Sequence, residues 1–328
     1  MSIELPEPPV IPGVTWRAAV TADAPAIVVL QDACFEVDNT YREVESEILE
    51  RFTDEMVDPA VDSLLAVRDD GSILASVWSM VPATAETKWR AFAVISIDPA
   101  HRSSDLEDFC LGWWEARSAQ RLASKSDGLP QILWRGAYEH QRDEIALLTS
   151  HGYEPARYYD ELIRDLAVPV DARPLPDGLR FVPAEEAARG DELRVHNEAF
   201  KDHWGSQPWT QERWDQFKNE FYLPDASFLV YDGDRPVGHI LCSAYPHDFD
   251  DRGWSHAWIE SLGVIREYRK QGVASSMVTA SLNAFAAEGY ERALLDVDSE
   301  NPTGAYRLYE TLGFAHDRRS ITFTKPIG

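Results

Sequence analysis

The chain has 328 residues, 44% of them hydrophobic, and a formal net charge of −25. That length suits one large domain or two medium ones, with apolar surface enough for a core that needs no staples. Such acidity argues against nucleic acid, whose binding needs clustered Lys and Arg, and against anionic membrane; it chiefly keeps the chain soluble and mildly favours an amine-bearing ligand.

The N-terminal stretch carries four prolines in its first twelve residues and no basic segment followed by an apolar run, so it reads as an extended tail and not as a signal peptide. Three scattered cysteines, Cys34, Cys110 and Cys242, are no disulfide framework and fit a reducing compartment. No apolar run approaches the ~20 residues that span a bilayer. The expectation is a soluble cytoplasmic protein.

Along the chain come GVTWRAA (13–19), LLAVRDDGSILASVWSMVP (64–82), ISIDPAHR (95–102) and LLTSHGY (147–153). Similar pieces return in the same order as GLRFVPA (178–184), FLVYDGDRPVGHILCSAYP (228–246), LGVIREYR (262–269) and LYETLGF (308–314), at offsets of 165, 164, 167 and 161 residues. Four matches at nearly one offset indicate an internal duplication. The second piece in each set has two apolar strands around an Asp/Gly turn, a hairpin signal. Residues 167–178 carry three prolines and a glycine and read as a linker. The expected organisation is therefore a first domain at 13–166, a linker at 167–178 and a second domain at 179–328.

In the second copy, a strand at RFVPA precedes a helix-rich region over 185–221, then the hairpin strands and a further strand at 254–265. The loop EYRKQG leads into a helix with Ala274, Met277, Val278, Ser281, Leu282 and Phe285 on one face and Gly289 at its C′ position. RALLDVD is a strand. Asn301 and Pro302 suit the N-cap and first turn of a helix that buries Ala305, Leu308, Tyr309 and Leu312 and ends at Gly313. RSITFTKP closes a mixed α/β sheet with helices on both faces.

The chemistry concentrates between the 254–265 strand and the helix after it. A strand–loop–helix junction aims free backbone N–H groups and the positive end of the helix dipole at one point. Gly272 permits close approach of an anion, small Ala274 does not block it, and Arg266, Arg269 and Lys270 add cations to an acidic protein. No Gly-Lys-Ser/Thr follows, so this is not a P-loop.

Arg269-x-x-Gly272-x-Ala274 fits the pattern [QR]-x-x-G-x-[GA], and the preceding V-x-x-E-Y-R, with NPTGAYRLYETLGF at 301–314, completes a resemblance to the GNAT superfamily of acyl-CoA N-acyltransferases. Arg266 departs from the proline usual at its position. The resemblance implies two tandem domains of this fold, similar in architecture to mycothiol synthases. It implies acetyl-CoA as co-substrate, with no metal. The backbones of Leu262 and Val264 would pair with the pantetheine arm where two strands splay. The amides of Arg269, Lys270, Gln271, Gly272, Val273, Ala274 and Ser275 would bind pyrophosphate, and Asn301 would contact the arm. Tyr309 would protonate the departing thiolate.

Glu260 shares a strand face with Leu262 and Val264 by period-two alternation, barring a bulge, and is the candidate base toward an incoming ammonium. Asp296 and Asp298 are weaker candidates. Asn197, His203 and Trp204 fall where the superfamily lines its acceptor pocket. His239 and Cys242, three apart on a strand, face opposite sides and do not share a metal.

Aligned on Arg102 and Arg269, the first copy has Asp105 where Gly272 stands, Glu107 where Ala274 stands and Leu148 where Tyr309 stands. Carboxylates repel pyrophosphate, so the first copy reads as degenerate. The expected function is acetyl transfer from acetyl-CoA to a primary amine of a small molecule or peptide, by direct attack. The alternatives are an acyl-CoA-binding regulatory module without turnover, and mycothiol synthesis.

Overall fold

The computed structural model describes residues 3–125, 127–201, 203–300 and 304–327. The chain forms two compact units, one of Met1–Arg157 with Ile321–Gly328 and one of Tyr158–Ser320.

In the first unit, β1 (Val14–Arg17), β2 (Ser63–Arg68), β3 (Ile73–Met80) and β4 (Trp89–Ile97) pair antiparallel in that order, and β5 (Gln131–Tyr138) runs parallel to β4. Helices α1 (Ala24–Asp38), α2 (Glu45–Arg51) and α3 (Pro59–Asp62) lie between β1 and β2, α4 (Ser104–Ala123) joins β4 to β5, and α5 (Arg142–Ser150) follows β5. One core cluster packs α1 side chains Ile27, Leu30 and Cys34 against Leu65, Ile73 and Trp78 of the sheet.

The second unit repeats this plan. After β6 (Glu154–Asp165), β7 (Leu179–Pro183), β8 (Phe228–Asp232), β9 (Arg235–Ser243) and β10 (His256–Val264) pair antiparallel in sequence, and β11 (Arg292–Asp298) runs parallel to β10. Helices α6 (Asp191–Ala199) and α7 (Gln211–Phe217) precede β8, α8 (Phe249–Arg252) precedes β10, α9 (Val273–Glu288) joins β10 to β11, and α10 (Ala305–Thr311) leads to β12 (Ala315–Pro326). The expected helix-rich stretch over 185–221 is thus helical only in α6 and α7; between them Asn197 ties the loop down from both sides of Trp209. The last helix starts at Ala305 with Gly304 as its N-cap, and the expected N-cap Asn301 and Pro302 lie outside the described residues.

The closing strands depart from the simple order of domains. The part of β6 from Tyr159 to Asp165 pairs antiparallel with β11 and belongs to the second unit. The end of β12 belongs to the first, where Ile327 N–H donates to the Gln131 carbonyl at 2.9 Å. Each copy therefore closes partly on a strand from the other half of the sequence.

Of the stripe expected on α9, Met277, Val278, Ser281, Leu282 and Phe285 are fully buried, whereas Ala274 is half-buried and its neighbour Val273, 1% exposed, takes the place in the core. Each of the larger apolar side chains is worth roughly 2 kcal/mol by transfer from water. Gly289 ends the helix at φ +88°, a conformation glycine adopts without a Cβ penalty. Helix α6 covers the opposite face of β9 and β10: Ala199 and His239 meet at Gly263, whereas Met277 of α9 meets Gly238. Among the described residues no helix is long and apolar enough to cross a membrane. All three cysteines are free thiols and buried.

Candidate active site

The site is built where β10 leaves β11. The two strands pair from His256–Arg292 to Ile259–Leu295 and no further, although β10 continues to Val264 and β11 to Asp298. Beyond that rung the edge of β10 facing β11 is without a partner strand, while its other edge stays paired with β9 through Val264–Gly238. Leu262 and Val264 lie on this unpaired stretch. An extended ligand with amide groups can complete such an edge as an added strand does.

Glu260 is the first residue past the last rung, and it sits in a β-bulge. Ile259 stands opposite Cys242 and Ser261 opposite Leu241, which leaves Glu260 as the extra residue. The period-two face sharing expected for Glu260 with Leu262 and Val264 is therefore interrupted. The Glu260 side chain is half-buried, and Tyr245 Oη donates to its Oε1 at 3.0 Å. Burial pushes its carboxyl up to about 7; the Tyr245 hydrogen bond opposes that rise and the nearby Asp296 adds to it. A base with this pKa accepts a proton at neutral pH far better than an ordinary carboxylate.

Asp296 is the first residue past the rung on β11. Its side chain reaches solvent, yet surrounding protein and the Glu161 carboxylate raise its carboxyl to about 6, against the opposing pull of Arg318 and Arg252. Asp298 is buried and accepts from the Glu300 amide at 2.9 Å.

From the end of β10 the chain turns through Arg266–Tyr268 into α9. Lys270 at φ +60° and Gly272 at φ +94° set this turn, and Gly272 is an N-cap without a side-chain cap. The first intrahelical bond runs from Ser276 N–H to the Gly272 carbonyl, so the amides of Val273, Ala274 and Ser275 precede the helical ladder. A Cβ built on Gly272 meets only Ser275 Oγ, at 3.9 Å, so the cradle is open in front of it. Lys270 is exposed beside it. The Arg269 side chain turns inward instead: Nε donates to the Val264 carbonyl at 2.9 Å and Nη2 to the Ala199 carbonyl at 2.7 Å. It braces the end of β10 against the C-terminus of α6. Gln271 Nε2 donates to the Glu267 carbonyl at 2.7 Å, which steadies the same turn.

Tyr309 lies in α10, 7% exposed and stacked edge-on against Phe314. Burial alone raises its phenol, which keeps it protonated at neutral pH. Among the described residues its hydroxyl has no hydrogen-bond partner. Asn301 lies outside the described residues.

The acetyltransferase (GNAT) family profile matches residues 193–314, which span α6 to α10. The N-alpha-acetyltransferase 30 of Schizosaccharomyces pombe is 30% identical over 115 residues, 35% of this chain and 72% of that protein. The chain belongs to the GNAT acetyltransferase family. A mycothiol acetyltransferase of Salinispora tropica is 30% identical over 173 residues, 52% of this chain but only 55% of that protein. A GCN5-related N-acetyltransferase from Sphaerobacter thermophilus superposes with a TM-score of 0.73 at 24% identity, covering 97% of both chains. A tandem GNAT protein from the clavulanic acid biosynthesis pathway gives 0.69 at 13% identity, covering 96% of this chain and 99% of that one. At those identities the two structures speak for the fold: two GNAT-like units in tandem. GNAT membership makes the chain an N-acetyltransferase and implies acetyl-CoA as donor. Among the described residues no group of three or more His, Cys, Asp or Glu is gathered as for a metal ion.

The first unit shows what a GNAT plan looks like when these features are replaced. Its last β4–β5 rung is Phe92–Trp134, so Ala93 takes the place of Glu260 and Arg135 that of Asp296. Arg135 Nη1 reaches across to the Ala93 carbonyl at 3.4 Å and Nη2 pairs with Glu144, so a guanidinium fills the opening. Ser103 caps α4 through the Leu106 amide, and Asp105 and Glu107 stand in its first turn. Leu148 replaces Tyr309 and is fully buried. Only Arg102 keeps its part, donating Nε to the Ile97 carbonyl as Arg269 does to Val264.

The residues expected at the acceptor pocket fare unevenly. Asn197 spends its amide on the backbone of Trp209, at 3.1 and 2.8 Å. His203 packs edge-on against Phe200, and Trp204 is half-buried. Two features of the site gave no signal in the sequence: the hydroxyl of Tyr245 on Glu260, and a buried cluster of His196, Ser261 and His239.

Proposed function

We propose that the second unit transfers an acetyl group from acetyl-CoA to a primary amine of a small molecule or peptide, in the cytoplasm, and that the first unit is a degenerate copy without turnover. The observation that carries this is the end of β10–β11 pairing directly at Glu260, on the strand that leads to the uncapped α9. The pyrophosphate would lie on the amides at the start of α9, with Lys270 beside it, and the pantetheine arm along Leu262 and Val264. Asn301 is assigned to the arm by resemblance alone.

The acceptor amine, once neutral, attacks the thioester carbonyl carbon. Its nitrogen–carbon bond forms, the carbonyl electrons move to oxygen, and their return breaks the carbon–sulfur bond. Glu260 takes the proton that the ammonium or the new amide nitrogen gives up, and Tyr309 gives one to the thiolate. No covalent enzyme intermediate is needed. Of the relatives, the N-alpha-acetyltransferases favour a peptide N-terminus. The mycothiol acetyltransferase match covers more of this chain and favours a cysteinyl-sugar amine as the second reading.

The test is thiol release from acetyl-CoA against a panel of N-terminal peptides, small primary amines and a cysteinyl sugar. Release that needs one acceptor class and is lost in Tyr309→Phe and Glu260→Gln supports the proposal. Donor binding with no release for any amine would leave a regulatory acyl-CoA-binding module.

A further inference from the structure

The bulge at Glu260 demands a compensating interaction, because the extra residue interrupts the ladder. Tyr245 holds the side chain of the extra residue itself, and the next residue, Ser261, is held from the other face. Ser261 Oγ lies 2.9 Å from His239 Nε2 and 3.3 Å from His196 Nδ1, and the three side chains are 8%, 0% and 6% exposed. His239 stands on β9 and His196 on α6, so one hydroxyl links β10 to a strand and a helix at once. Burial pushes His196 down to about 4 and His239 well below its ordinary value, so both rings are neutral. A neutral imidazole has one donor and one acceptor, and a hydroxyl can donate to one ring and accept from the other.

The consequence for register is specific. In a regular ladder Glu260 would stand opposite Leu241 and point toward α6, in the place Ser261 now holds. A one-residue slip turns every side chain of a strand to its other face. Gly263, two residues on, supports the same register: a Cβ there would lie 2.4 Å from His239 Cε1 and 2.9 Å from the Ala199 Cβ, so the ring needs a glycine beneath it. The first unit is an internal control. There Ala93 pairs with Ser79 and Val94 with Trp78 without a bulge, and the positions of Ser261, Gly263 and His239 are held by Val94, Ser96 and Ser76. The unit without the imidazoles has the regular strand.

We infer that His196, Ser261 and His239 form a positioning clamp that fixes the β10 bulge and so presents Glu260 to the opening beside β11. The inference rests on the reading of Glu260 as base, but its test does not. Besides solvent, Glu260 faces Tyr245 after β9, Cys242 on β9 and Asp296 on β11, and none of these belongs to the clamp. Moving the bulge separates Glu260 from these groups, which a merely stabilising role for Ser261 would not do.

The experiment follows the Glu260 carboxyl by carbon-13 NMR in the full-length chain, with calorimetric acetyl-CoA binding alongside. Ser261→Ala removes one oxygen atom, and His239→Leu removes the ring that meets it. His239→Gln keeps a polar atom at the Nε2 position. The expected result is titration near 7 in the native chain and in His239→Gln, and a shift of at least one unit away from that value in Ser261→Ala and His239→Leu. Acetyl-CoA affinity should change less than about threefold. If His239→Leu does not fold, Ser261→Ala decides. If that fails as well, the comparison of His239→Gln with Ser261→Cys, whose thiol bonds poorly, takes its place. Unchanged titration of Glu260 without the Ser261 hydroxyl overturns the clamp. Full turnover in Glu260→Gln would instead overturn the base and leave the clamp standing.

Discussion

Replacing Glu260 by glutamine keeps the shape of the side chain and its contact with Tyr245 and removes its basicity. With the carboxyl at about 7, the native enzyme reacts through ionised Glu260 and protonated amine, so kcat/KM should rise about tenfold per pH unit up to ~7 and then level off until the amine itself ionises. The variant has to wait for neutral amine, so its profile keeps rising past 7. The two should differ by a constant factor of ~10²–10⁴ below pH 7, and the gap should close about tenfold per unit above it. Narrowing stops at the amine's own pKa, after about one unit for an α-amine of ~8, whereas for a lysine-like amine of ~10.4 it continues to the top of the range, so the pH at which narrowing stops also types the acceptor. The assay is thiol release from acetyl-CoA between pH 5.5 and 9. Parallel profiles for native enzyme and variant would refute the base and assign Glu260 to binding. Stability gives an independent check. The carboxyl is raised in the folded state, so the folded chain holds its proton longer than the unfolded chain. Stability then falls as pH rises from the unfolded value of ~4.3 to about 7. Glu260→Gln should accordingly raise Tm at pH 8 relative to the native chain, and change it little near pH 4.

Tyr309→Phe should lower kcat by ~10²–10⁴ while acetyl-CoA affinity, read by calorimetry, stays nearly constant; an unchanged kcat with chemistry rate-limiting would pass the acid role to water or another group. Gly272→Ala has space for its methyl but must hold φ +94°, at a cost of ~1–2 kcal/mol, so acetyl-CoA should bind more weakly in a folded chain; unaltered affinity would remove this turn from the donor site. Arg269→Ala should lower Tm through two lost hydrogen bonds to backbone carbonyls, each worth ~1.5–3 kcal/mol from a charged donor, whereas a loss of donor affinity alone, with Tm unchanged, would return this side chain to the phosphate. Titration with CoA should give one site per chain, and two equivalent sites would contradict the reading of the first unit as degenerate.

Periodicity made most of the second unit legible. The apolar stripe of α9, its terminal Gly289, the hairpin of β8 and β9, and the strands β10 and β11 stand where spacing and turn residues put them. The splay and the uncapped helix were legible through resemblance, because residue types such as Gly272 and Ala274 are what such a turn requires. What escaped was set by pairing partners and not by local sequence. No pattern in HAWIESLGV announces a bulge, since its cause is a hydroxyl gripped by side chains 22 and 65 residues away. The inward course of Arg269 escaped for the same reason: a cation beside a phosphate-binding turn reads as a phosphate ligand until the Ala199 carbonyl is seen beneath it. The exchange of closing strands left no trace in composition, because either half of the sequence supplies an acceptable strand.

That exchange bears on where the chain can be divided. Residues 159–165, encoded with the first half, flank β11, and Leu162 among them is 1% exposed within the core that also holds Leu295 and Val297. A gene shortened to its second half would yield a β11 stripped of that neighbour, with an open apolar edge of the kind that aggregates. The replacements at Asp105, Glu107 and Leu148 lie within the first unit, but a cut made at the linker, at 167–178, would reach into the second. A cut at Tyr158 instead keeps residues 159–165 beside β11 and leaves the contiguous second unit, Tyr158–Ser320, whole.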